Sequence, residues 1–83
     1  MYRGTLIWWS PATGQGTAVV ENIHYFILAS RIISAPDEIR VGDYVEFKDY
    51  LKPRRENLLP LAVGIVISRK LDAGANALAK AGE

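Results

Sequence analysis

The chain has no cysteine among its 83 residues. That excludes a small scaffold stapled by disulfides and a thiolate zinc site. It has one histidine, His24, and a lone imidazole holds a metal only with several carboxylates beside it. No metal and no cofactor are therefore expected. No apolar run reaches the ~18 residues that span a bilayer, and the opening Met1-Tyr2-Arg3-Gly4 lacks a signal-peptide pattern. The expectation is a soluble cytoplasmic protein with no membrane partner. G-x-S-x-G is missing, and neither a P-loop nor a partnered serine is visible. The carboxylates sit on turns and form no recognisable acid–base pair. Catalysis is not expected.

What remains is a single small domain. A chain of this size buries about 60% of the surface its unfolded form exposes, so its stability should be modest. The net charge of +1 names no partner, but its distribution is uneven. Residues 37–50 are acidic, with Asp37, Glu38, Asp43, Glu46 and Asp49 against Arg40 and Lys48. Residues 51–70 are basic, with Lys52, Arg54, Arg55, Arg69 and Lys70 against Glu56. The basic block reads either as an anion-attracting patch or as a solvated loop.

Tyr2 to Trp9 is apolar, β-branched and aromatic, and it ends at the turn signal Ser10-Pro11-Ala12-Thr13-Gly14. Gly16 to Val20 is a second β-prone run, closed by Glu21-Asn22, and Tyr25 to Leu28 is a third. Pro36 breaks the pattern, because it disfavours helix at Ala35 and cannot donate to a ladder. In Tyr44-Val45-Glu46-Phe47-Lys48 the period of two predicts a half-buried strand. The same parity places Tyr44 and Tyr50 outward. Leu61 to Ile67 is almost continuously apolar and predicts a well-buried strand, with Gly64 marking a bulge or bend. Five short strands separated by turns are the cue for a small closed barrel. From Arg69 on, Leu71, Ala75 and Leu78 share a helical face, which predicts a frayed or loosely docked tail over 69–83.

The order of these segments resembles the cold-shock domain. Gly4-Thr5-Leu6-Ile7-Trp8-Trp9-Ser10 is similar to that family's G-x-V-K-W-F-N strand. Thr13-Gly14-Gln15-Gly16-Thr17-Ala18 falls where it has K-G-F-G-F-I, and residues 25–32 fall where it has V-F-V-H-F-S-A-I. Val41-Gly42-Asp43-Tyr44-Val45-Glu46-Phe47 matches E-G-x-x-V-x-F, and Pro60 to Val66 takes the place of P-x-A-x-N-V. The resemblance covers about residues 2–67 and implies an all-β, five-stranded antiparallel OB-type barrel over residues 1–68.

The resemblance also implies a face on which aromatic rings stack unpaired bases. Stacking contributes ~1–3 kcal/mol per base with little sequence preference. Trp8 and Phe26 fall on stacking positions of the family. Trp9 stands beside them in place of a phenylalanine, and core packing is the alternative role for so large a ring. Gln15 and Thr17 replace two phenylalanines, Leu28 and Ala29 a histidine and a phenylalanine, and Ile7 and Thr13 two lysines. The implied partner is single-stranded DNA or RNA, bound weakly and salt-sensitively through Trp8, Phe26 and Trp9, with charge from Arg3, Arg31, Arg54 and Arg55. The alternative is a protein-interaction or homodimerisation module that reuses the same face after its stacking residues were replaced. His24, beside Asn22 and Ile23, reads as a residue at a hairpin mouth.

Overall fold

The computed structural model describes residues 1–53, 55 and 58–69. Its strands are β1 (Tyr2–Ser10), β2 (Gln15–Val20), β3 (Ile23–Leu28), β4 (Ile32–Ser34), β5 (Tyr44–Phe47), β6 (Asp49–Leu51), β7 (Leu61–Val63) and β8 (Ile65–Ser68). One 3-10 turn, Ala29–Arg31, follows β3. All eight strands join one sheet in the order β4-β8-β5-β1-β2-β3-β7-β6. The sheet curls into a half-barrel. One edge strand is tied back to the sheet by the chain itself, because β5, between β1 and β8, runs through Lys48 into β6, the edge strand beside β7.

The fold is mostly β, as expected, but the described residues form eight strand segments rather than five. Past the expected strand ending at Lys48 the chain adds β6, which was not expected, and Gly64 divides the expected Leu61–Ile67 strand, with a φ of 68° that side chains other than glycine adopt only with strain. The short β4 carries no alternation long enough to read. Nor is the sheet wholly antiparallel, since β3 pairs with β7 and β4 with β8 in parallel. The run from Leu61 to Ile67 is not uniformly buried. Its burial alternates after Gly64, and Val66 is exposed. The predicted C-terminal tail falls outside the described residues beyond Arg69.

Inward-facing residues come at the period of two that a strand imposes. Ala18 and Val20, Tyr25 and Ile27, Val45 and Phe47, and Ile65 and Ile67 all lie in the core with Leu6 and Ala62. Each large aliphatic or aromatic side chain so buried contributes ~1.5–3 kcal/mol. Four rings gather within this core. Tyr2 stacks on Phe47 at 5.2 Å, while Tyr25 meets Phe47 edge-on at 5.0 Å and Tyr50 at 5.5 Å. Burial, with Tyr50 and Tyr2 beside it, pushes the Tyr25 phenol up. Tyr50 therefore does not face outward as parity from Tyr44 predicts. The break at Lys48 shifts the alternation by one residue and turns Tyr50 inward.

Two connections fix the registers used below. Glu21 and Asn22 both have positive φ, 49° and 70°, the two-residue turn whose twist suits a tight hairpin. They set β2 against β3. On the other side of β1, Leu6 N donates to Asp43 O at 2.9 Å and Gly42 N donates to Leu6 O at 2.8 Å. Asp43 is buried, and its carboxylate accepts Arg40 N at 2.9 Å. This loop pins Leu6 just where β1 changes register.

Candidate nucleic-acid interface

Leu6 pairs with Ala18, yet Trp8 pairs with Thr17, so Ile7 is an extra residue opposite β2. A bulge of this kind re-aims the side chains that follow it. Strict alternation from buried Leu6 would send Trp8 into the core. The bulge instead leaves Trp8 50% exposed and turns Trp9 inward, where it packs against the core. Trp9 fits there because residue 16 has no side chain. A β-carbon on Gly16 would lie 2.6 Å from Cε3 of the Trp9 ring and 2.6 Å from the Trp8 carbonyl oxygen.

On the outer face the ladders align one residue from each of five strands. Trp8 lies opposite Thr17, Thr17 opposite Phe26, Phe26 opposite Leu61, and Leu61 opposite Leu51. With neighbouring strands ~4.8 Å apart, the row is ~19 Å long. Phe26 and Leu61 are half-buried and Leu51 is exposed. The far end is held in place by Phe26 N, which donates to Pro60 O at 2.8 Å. Beside the row, Ser10, Gln15 and Leu28 align on one side, and Thr5, Val19 and His24 on the other. His24 is exposed at the mouth of the β2–β3 hairpin.

The structure thus brings Trp8 and Phe26 into one row and puts Trp9 on the opposite face. Of the arginines, Arg31 is exposed at the end of the 3-10 turn, three residues beyond Leu28. Arg55 is exposed in the loop before β7, and its carbonyl accepts Leu58 N at 3.1 Å. Arg54 lies outside the described residues. Arg3 is not near the row. It stands five residues before Trp8, ~16 Å along an extended strand, with its Nε 3.6 Å from Glu46 Oε2.

Sequence reasoning did not single out Leu51 and Leu61 as members of a surface row, nor Leu58 and Leu59, both exposed in the adjoining loop. No polar residue in Leu61-Ala62-Val63 marks which side faces out, so the sequence carries no signal for it. A separate polar cluster lies by the loop before β5. Arg40 holds the Glu38 carboxyl below its usual range through a 2.8 Å hydrogen bond, and Arg69 donates to the Glu38 carbonyl at 2.8 Å.

Among the described residues, no group of three or more His, Cys, Asp or Glu side chains is placed to hold a metal ion. No described helix is long and apolar enough to cross a membrane. No protein-family model matches the chain, and a search of curated proteins finds no relative.

Proposed function

We propose that this protein binds single-stranded DNA or RNA in the cytoplasm, and that it is a divergent barrel of the OB type similar to the cold-shock domain. In this reading β5 with β6, and β7 with β8, are two bent strands, which with β1, β2 and β3 make five, and β4 is a short sixth strand added beside β8. The observation that carries the reading is the bulge at Ile7, which turns Trp8 outward into register with Thr17 and Phe26. Two rings flanking a small hydroxyl residue make a platform for unpaired bases, each stacked base contributing ~1–3 kcal/mol. Arg31 and Arg55, with Arg54, supply phosphate contacts. Arg3, ~16 Å along β1 from Trp8, is left out of that set, and Trp9 acts through packing. Binding of this kind positions a ligand and catalyses nothing.

Few cations flank the platform, so affinity is modest and dependent on salt. Two or three arginine–phosphate contacts give a slope of log affinity against log salt of about −1.4 to −2, at ~0.7 counterions per phosphate. A second reading is favoured by the aliphatic end of the row. Leu51, Leu58 and Leu59 are all exposed, and aliphatic surface suits a protein partner. Titration of parent and Trp8→Ala with an oligothymidine separates the two. The nucleic-acid reading expects measurable binding by the parent and a loss of about 5-fold or more in the variant. A parent that binds no oligonucleotide even at low salt would leave the protein-interaction reading in its place.

A further inference from the structure

The chain has two tryptophans, four tyrosines and two phenylalanines. Tyr2, Trp9, Tyr25, Phe47 and Tyr50 lie in the core or pack against it. The three rings left over, Phe26, Trp8 and Tyr44, all stand on the outer face of the sheet. Phe26 and Trp8 share the row already described. Tyr44 is 38% exposed on β5, in the adjoining row, opposite Thr5, which in turn lies opposite Val19. Val19 is two residues from Thr17 along β2, ~7 Å, and β5 lies one strand spacing of ~4.8 Å beyond β1. On the diagonal Tyr44 is therefore ~8 Å from Trp8, close to the ~10 Å between Trp8 and Phe26. The ground around Tyr44 is open. Its ladder neighbours Thr5 and Ser68 are small and exposed, as Thr17 is small between the other two rings. Towards Trp8 lies Gly42, whose N donates to Leu6 O at 2.8 Å. It has no side chain, and a β-carbon on it would meet nothing within 4 Å.

We propose that Tyr44 is a third stacking residue of the nucleic-acid site, so that a bound single strand crosses from Phe26 over Trp8 and on to β5. The third ring presupposes the base-stacking role proposed for the first two. Its occupant follows from continuity with Trp8. An aromatic face stacks any base, and a strand held on Trp8 carries its next nucleotides towards Tyr44. The spacings say how the strand lies. Stacked neighbours along one strand are ~3.4 Å apart, and both ring spacings are more than double that. Each base must then lie on its own ring, with the strand splayed between them. A duplex, whose bases stay paired and stacked, offers no such faces. From Phe26 to Tyr44 the track is ~18 Å long. A backbone opened to twice the stacked spacing, about 7 Å per step, needs three steps to cover it, so the full site takes about four nucleotides or more. A trinucleotide reaches only two of the three rings at once.

Fluorescence titration of the full chain, Tyr44→Ala and Tyr44→Phe with oligothymidines of three and eight nucleotides at low salt tests it. Tyr44→Ala should bind the octamer about 5-fold or more weaker, as loss of one stacked base requires. It should bind the trinucleotide almost as the parent does, because Phe26 and Trp8 still hold two bases. Tyr44→Phe should keep the parent's octamer affinity, since the ring and not the hydroxyl stacks. The slope of log affinity against log salt should not change in Tyr44→Ala, because the lost contact is not to phosphate. A folded Tyr44→Ala variant that binds the octamer like the parent, or that loses equally on both lengths, overturns the proposal. If Trp8→Ala still weakens binding in that case, base stacking on the first row stands without Tyr44. A parent that binds neither length at low salt removes both that reading and this one.

Discussion

Thr17 is the gap in the outer row, and filling it is the sharpest perturbation available. It pairs with Trp8 on one side and Phe26 on the other, so the two rings stand two strand spacings apart, ~10 Å. A phenylalanine at 17 would sit one spacing from each, within the ~4.5–7 Å over which aromatic rings attract. Thr17→Phe should therefore add one stacking surface to a continuous platform. At ~1–3 kcal/mol per stacked base, affinity for an oligothymidine should rise about 5- to 160-fold. Cross-strand aromatic contacts should also raise stability by ~0.5–1.5 kcal/mol. Gln15→Phe is the natural comparison, since Gln15 faces Ser10 and Leu28 in the adjoining row and gains no ring neighbour directly opposite. Fluorescence titration of the three proteins at one salt concentration, with thermal melts alongside, measures both effects. A folded Thr17→Phe variant with unchanged affinity would refute the assignment of this row to base stacking.

Trp9→Ala should destabilise the protein by about 2 kcal/mol or more in urea unfolding, because it empties a ring site packed against the core; Trp8→Ala should cost far less stability. Gly4→Ala should be worse still, since its β-carbon would lie 2.0 Å from the Val19 carbonyl oxygen. That wall is backbone, so β1 and β2 must separate locally, and a loss of about 3 kcal/mol is expected in the same assay. Tyr25 gives a pH dependence. Its folded pKa is raised above 10.0, so the unfolded chain gives up the proton first. The stabilisation is full below about pH 10 and is lost as pH climbs toward the folded value. Tyr25→Phe should show less alkaline loss of stability than the parent, read from melting temperatures across that range.

Turns and local alternation were legible in the sequence. Glu21-Asn22, Pro36 and the run from Tyr44 to Phe47 each carry their own short-range chemistry, and the strands fall around them. What was not legible is where alternation slips. A one-residue shift reverses every later side chain on a strand, and nothing local marks Ile7, Ile33 or Lys48 as the place. That single effect accounts for the outward Trp8, the exposed Ile33 at the register shift of β4 and the inward Tyr50. The row itself depends on Phe26 meeting Leu61 in a parallel ladder, a pairing between residues far apart in the chain. Trp8 and Phe26 were found as site candidates through resemblance, while Leu51 and Leu61 needed the register. Arg3 looked like part of the same surface because sequence order says nothing of Glu46 lying opposite it.

The proposed function rests on Trp8, exposed by the bulge, stacking on unpaired bases. Trp9→Phe leaves Trp8 as the only tryptophan and keeps an aromatic ring over Gly16. Titrating that variant with an oligothymidine at low salt reads Trp8 alone. Stacking on Trp8 gives saturable quenching of its fluorescence that weakens as salt is added, with a log–log slope of about −1.4 to −2. A folded variant whose emission does not change on titration would contradict it.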